Sequence, residues 1–236
     1  MTISPRQLLT LILFVGGGRF DAGLLYYWPQ SWTSDNTDAS NRLTIQLGTS
    51  LAYPPSSMGC HVSAVPNGLT HRNISIEYRA HVALMVRLCR PLTLHRASEL
   101  TCLSQCGSFG FELNPSELTP EESAAIPGIL ADWNEINPIV ISGSFYRLRL
   151  PDDSNWPAVQ FVSKEEDKSF VLAFQQQATI KPAAPPLKMQ GLDADARYSS
   201  NVYNGTYSGK SLMNAGLNVV FEIEDYQSQL IWLHKE

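Results

Sequence analysis

The hydrophobic pattern of this chain changes its period twice. Leu8 to Val15 is an apolar run, broken only by Thr10, that leads straight into Gly16-Gly17-Gly18. Its length and its glycine stop predict a buried strand feeding a turn. Beyond it, Leu43, Leu47 and Leu51 recur at helical spacing. With Asp38 as N-cap they predict a helix from about 39 to 50, stopped by Pro54-Pro55. His61 to Val65 reads as a short strand between Gly59 and Pro66. Thr119-Pro120-Glu121-Glu122 carries a capping box with Pro at N1. It starts a helix towards Ile141, whose buried face is Ala125, Ile129, Trp133, Ile136 and Val140, with kinks expected at Pro127 and Pro138.

After Gly143 the period becomes two. Val159 and Phe161, and again Phe170, Leu172 and Phe174, recur at every second position, and Gln227 to His234 forms a terminal strand. Asp152 to Asn155, Lys181 to Pro186 and Asn204-Gly205 punctuate these strands as turns. Strand, loop, helix, strand in the first part predicts βα units of a parallel barrel. Short punctuated strands in the second predict an antiparallel β-sandwich. The fold class is therefore α/β plus all-β, with the change placed between 1–148 and 149–236.

Composition narrows the function. An apolar share of 44% with 17% charged residues suits a globular core. A net charge of -5 without a basic cluster excludes a nucleic-acid surface. The apolar run at 8–15 is far short of the roughly 20 residues a membrane helix needs. Arg6 ahead of it gives it the look of a signal peptide, but no Ala-x-Ala-like cleavage site follows, so a strand is the better reading. Two glycosylation sequons, Asn73-Ile74-Ser75 and Asn204-Gly205-Thr206, fit a secreted ancestor only loosely and leave the compartment open. Four cysteines and five histidines show no paired metal-ligand spacing, so neither a metal nor a cofactor is expected.

The candidate chemistry lies in Gly16-Gly17-Gly18-Arg19-Phe20-Asp21 and in Trp32-Thr33-Ser34-Asp35-Asn36-Thr37-Asp38-Ala39. A glycine turn lets backbone approach a ligand. In a barrel, the loop after each strand carries the chemistry. Both elements occupy one such loop.

These segments resemble the fungal-type α-galactosidases of glycoside hydrolase family 36. The likeness continues through Gly48-Thr49-Ser50, Met58 to Asn67, Arg79 to Ala83, Gly107 to Leu113, and Gly205-Thr206-Tyr207-Ser208-Gly209. The resemblance implies a C-terminal fragment: the last βα units of a (β/α)8 TIM barrel, then an antiparallel β-sandwich. It implies retaining hydrolysis of terminal α-galactosyl residues of oligosaccharides. It makes Asp35 the proton donor and later base, with its acidity weakened by burial beside Trp32 and by an anionic neighbour. It places Trp32, Gly16, Gly17 and Arg19 on the substrate side, with Asp21 ordering the loop and Asp38 capping the helix. Full-length relatives of this kind form homo-oligomers in one reading of the resemblance.

Three departures follow from the same comparison. The nucleophile's Lys-Trp-Asp does not occur, so this chain alone is expected to be inactive. Leu13, Phe14 and Val15 stand where the family has Cys-Ser-Gly. Residues 86–105 have no counterpart, as either a translated intron or a surface insertion. The alternative function is a non-catalytic β-sandwich module that binds carbohydrate or a partner.

Overall fold

A computed structural model describes residues 32–53, 55–85, 109–180 and 184–236. The predicted strand over 8–15, Gly16, Gly17, Arg19 and the segment 86–105 lie outside the described residues.

Helix α1 spans Ala39–Ala52 and is capped by Asp38, whose side chain accepts from the Asn41 amide. It stops at Tyr53, which is extended, as the residue before a proline should be. Its buried face is Ala39, Arg42, Leu43, Gln46, Leu47 and Ser50. Leu51, expected on that face, is 66% exposed. Four-residue steps advance more than one full turn, so the stripe drifts, and Leu51 has rotated out while Arg42 and Gln46 rotated in.

Strand β1 (Cys60–Ser63), helix α2 (Ile76–Ala83) and strand β2 (Phe109–Glu112) follow. The two strands pair in parallel, with His61 opposite Gly110 and Ser63 opposite Glu112. This is the expected βα character. Met58, Cys60, Val62, Ile76, Ala80, Ala83 and Ile129 form the core beneath them. Helix α3 runs unbroken from Pro120 to Ser142 through Pro127 and Pro138, with the expected capping box in place. Ile129, Ile136, Ile139 and Val140 are its buried residues, while Ala125 and Trp133 are only half-buried.

The remaining strands are β3 (Ser144–Arg149), β4 (Ala158–Val162), β5 (Lys168–Gln175), β6 (Arg197–Ser200), β7 (Thr206–Ser208) and β8 (Gln227–Lys235), with a short helix α4 at Gly209–Asn214. They form one antiparallel sheet in the order β3-β4-β5-β8-β6-β7. Two facing sheets were expected in this part of the chain; its described residues hold one, and both of its faces are covered. Phe161, Phe170, Leu172, Phe174 and Trp232 turn towards Leu43, Leu47, Tyr78, Val82, Ile136 and Val140 of the helices. Val162, Val171, Ala173, Ile231 and Leu233 turn towards Leu187, Met189, Leu192, Leu212, Leu217 and Val219. That second layer is mostly irregular chain, joined by a single bridge between Leu187 and Leu217. Strict alternation explains how one strand serves two cores. The second face also buries Gln160. It donates to Ser169 Oγ at 2.9 Å and accepts from the Gln190 amide at 2.8 Å, so its burial leaves no polar atom stranded. Among the described residues no helix is long and apolar enough to cross a membrane.

Candidate functional site

The site sits at the C-terminal ends of β1 and β2, where a parallel sheet presents its loops. Trp32, Asp35, Thr37, His61, Phe111 and Glu112 line a pocket of about 570 Å³. The loop carrying Asp35 is held by its own short side chains. The Asn36 amide donates to Ser34 Oγ at 3.1 Å, and the Asp38 amide to Asn36 Oδ1 at 3.0 Å. Such turns fix a loop without a regular ladder. Asn67 reaches across from the loop after β1 and donates to Thr37 Oγ1 at 3.0 Å.

Asp38, predicted as a cap, does more than cap. It is buried, accepts from the Asn41 amide and from Thr70 Oγ1 at 2.6 Å, and pairs with Arg72 at 2.9 Å. Its carboxylate therefore joins α1 to the segment that leads into α2. Beside it, Asp35 is exposed at the pocket mouth. The burial expected for a proton donor is thus absent among the described residues. What stands near it is polar and acidic: Glu112, itself exposed, lines the same pocket.

Of the residues expected on the substrate side, Trp32 is in the pocket wall. It stacks on His61 with ring centroids 5.0 Å apart and 26° between planes. Gly16, Gly17 and Arg19 lie outside the described residues. Sequence reasoning did not assign Arg42, His61, Phe111 or Glu112 to the site. The signal for the last three was register: parallel pairing sets His61 beside Gly110 and brings Phe111 and Glu112 to the same end. A Cβ on Gly110 would sit 3.0 Å from His61 Cδ2, so glycine there lets the imidazole lie flat on the neighbouring strand. Burial lowers the His61 pKa below its ordinary value; Glu112 opposes this and Arg42 reinforces it.

Arg42 lies behind Trp32, its guanidinium 5.4 Å from the ring centre. It donates to the carbonyls of Ser34 at 3.1 Å and Gly59 at 3.0 Å, and to Gln46 Oε1 at 3.3 Å. Gln46 in turn donates to the Val82 carbonyl at 2.8 Å. Cys60, next to Gly59, is a buried free thiol, and burial pushes its pKa up to about 12. It stays protonated and behaves as a core side chain.

A parallel pair with two carboxylates in the pocket at its C-terminal end is followed by an antiparallel sheet, and comparison with known proteins gives the class: a glycosyl hydrolase by family. Residues 13–143 match the melibiase family, and residues 156–233 match the glycosyl hydrolase family 36 C-terminal domain. The chain belongs to glycosyl hydrolase family 36, and the curated relatives it resembles are α-galactosidases. Alpha-galactosidase 2 of Hypocrea jecorina is 49% identical over 94% of this chain and 27% of its own length. The GH36 α-galactosidase AgaB of Geobacillus stearothermophilus superposes with a TM-score of 0.79 at 39% identity, over 94% of this chain and 28% of that one. An AgaA variant from the same organism, solved with raffinose, gives a TM-score of 0.80 at 38% identity, over 94% of this chain and 28% of that one. The chain spans about a quarter of the length of the curated relatives it matches.

Proposed function

We propose that the pocket at Asp35 is the proton-donor half of a retaining α-galactosidase site. The observation that carries the reading is the placement of Asp35 at the C-terminal end of a parallel strand pair, in a pocket walled by Trp32. The raffinose complex of the AgaA variant supports α-galactoside oligosaccharides as the substrate class. In this reading Asp35 gives its proton to the glycosidic oxygen as the bond to the anomeric carbon breaks. A second carboxylate attacks that carbon from the opposite face. Asp35 then takes a proton from the water that releases the sugar. Trp32 gives the pocket an apolar wall beside the pyranose ring, and Gly16, Gly17 and Arg19 complete the sugar-facing loop.

The attacking carboxylate belongs to Lys-Trp-Asp, which these 236 residues do not contain. The chain is therefore proposed to be inactive alone. Strands β1 and β2 would be two strands of a (β/α)8 barrel closed by a longer polypeptide, with the antiparallel domain following from about residue 149. The Leu187–Leu217 bridge is what the described residues show of a sandwich's second layer.

The test is turnover of p-nitrophenyl α-D-galactopyranoside. The purified chain alone should give none. Adding the complementary N-terminal part of a relative that carries Lys-Trp-Asp should restore turnover, and Asp35→Asn should abolish it. Turnover that survives Asp35→Asn would overturn the assignment. Oligosaccharide binding without turnover in the reassembled protein would favour a non-catalytic module instead.

A further inference from the structure

We propose that Arg42 is a positioning residue of this site, holding the Asp35 loop, the Trp32 wall and His61 in one arrangement. The proposal rests on the reading of Asp35 given above. Arg42 is 5% exposed and, among the described residues, forms no ion pair. Burying a guanidinium without a carboxylate is costly unless its donors are used fully. Here they reach the residue before Asp35 and the residue before Cys60 at the same time, while Nε is held by Gln46. One rigid fork thus ties together the catalytic loop, the start of β1 and, through Gln46 and the Val82 carbonyl, the end of α2. A lysine's single ammonium cannot span the two carbonyls in that way.

The same guanidinium lies 5.4 Å from the centre of the Trp32 ring, which stacks on His61, and Gly110 packs beside the imidazole. His61 is faced by Arg42 from α1, by Glu112 from β2, and by Asp35 across the pocket. The positive charge of Arg42 opposes protonation of His61, and Glu112 favours it.

The experiment uses the full chain with Arg42→Lys, Arg42→Gln and Glu112→Gln. NMR follows the titration of the His61 ring and hydrogen exchange of the Asn36 and Asp38 amides. Loss of the fork should speed that exchange by about tenfold in Arg42→Lys and Arg42→Gln, a local opening that leaves the sheet amides unchanged. Only Arg42→Gln, which removes the charge, should move the His61 titration upwards. Glu112→Gln should move it downwards with loop exchange unaltered. Unchanged loop exchange in Arg42→Lys overturns the proposal, and so does a His61 titration that moves equally in the lysine and glutamine variants. If Arg42→Gln does not fold, loop exchange in Arg42→Lys and the His61 titration in Glu112→Gln decide alone, and a failure of either overturns it. The galactosidase reading is checked separately by saturation-transfer NMR with methyl α-D-galactopyranoside added to the protein reassembled with the relative's N-terminal part. Absence of binding there, with the loop and titration responses intact, removes the substrate and leaves the positioning role.

Discussion

One carboxylate, that of Glu122, serves both the buried guanidinium of Arg79 and the first turn of α3. Its Oε1 pairs with Arg79, and its Oε2 accepts from the Thr119 amide at 3.1 Å. Arg79 is 4% exposed and also donates to the carbonyls of Ile74 at 2.9 Å and Ser63 at 2.5 Å. A capping box read in the sequence as a local device therefore fixes α3 to the far end of β1. Glu122→Ala leaves a buried cation without its partner, a change that costs about 3 kcal/mol or more. Urea unfolding of the chain should show it. A loss near that of an exposed cap, about 1 kcal/mol, would mean the pair is merely a surface contact.

Tyr78 joins the helices to the sheet by its ring alone. The ring lies edge-on to Phe174 at 5.4 Å and to Tyr226 at 5.9 Å. The phenol oxygen is buried and accepts or donates no hydrogen bond among the described residues. Burial pushes its pKa far up, so it remains a neutral phenol. A buried hydroxyl without a partner is a liability. Tyr78→Phe should therefore leave stability unchanged or raise it by up to about 1 kcal/mol. Tyr78→Ala should cost about 3 to 5 kcal/mol, because it empties the seam between the layers. Equal losses for both variants in thermal unfolding would show that the hydroxyl, not the ring, matters.

Gly143 ends α3 where the helix meets β4. A Cβ there would sit 2.2 Å from the Val162 carbonyl oxygen and 2.6 Å from that of Ile139. Both obstacles are backbone, so neither can swing aside. Gly143→Ala should force the helix end off the sheet and cost about 1 to 3 kcal/mol. Gly48→Ala, where a Cβ meets nothing within 4 Å in the exposed middle of α1, is the control and should be neutral or mildly stabilising.

Much of this architecture was legible because it is written in local pattern. Asp38, the Thr119–Glu122 box and the alternation of Phe170, Leu172 and Phe174 act through neighbours a few residues away. The Asp35 loop was recognisable for the same reason, as a dense local signature. The rest depends on distant partners. That Phe161 and Phe170 cover helices while Val162 and Val171 cover irregular chain cannot be read from a period of two, which gives two faces but not their partners. Arg42 was invisible because a buried guanidinium at a helix position looks like a solvated one until Ser34, Gly59 and Trp32 are placed around it.

The joint between α2 and α3 should make stability depend on pH in two opposed ways. Glu77, His81 and Asp132 line one small cavity of about 210 Å³ between these helices. Burial raises the pKa of Glu77, and Asp132 adds to it; burial likewise raises Asp132, and Glu135 adds to it. A carboxyl raised in the folded state is more stable protonated there. Its contribution is therefore gained as pH falls through the raised value and is lost above it. His81 behaves in the opposite sense. Burial lowers its pKa to about 4, and its Nδ1 lies 2.8 Å from Ser228 Oγ. The unfolded chain binds this proton near pH 6.5, the folded chain only near pH 4. Stability from His81 is complete above the higher value and falls between the two, by roughly 3 kcal/mol in all. Asp132→Asn should raise the unfolding midpoint at pH 7 and have little effect at acid pH, where the carboxyl is already neutral. His81→Gln should remove the loss between pH 6.5 and 4 and leave the carboxylate response behind. Urea midpoints measured at several pH values across this range separate the two. A His81→Gln profile as steep as that of the parent would show that another group carries the acid loss.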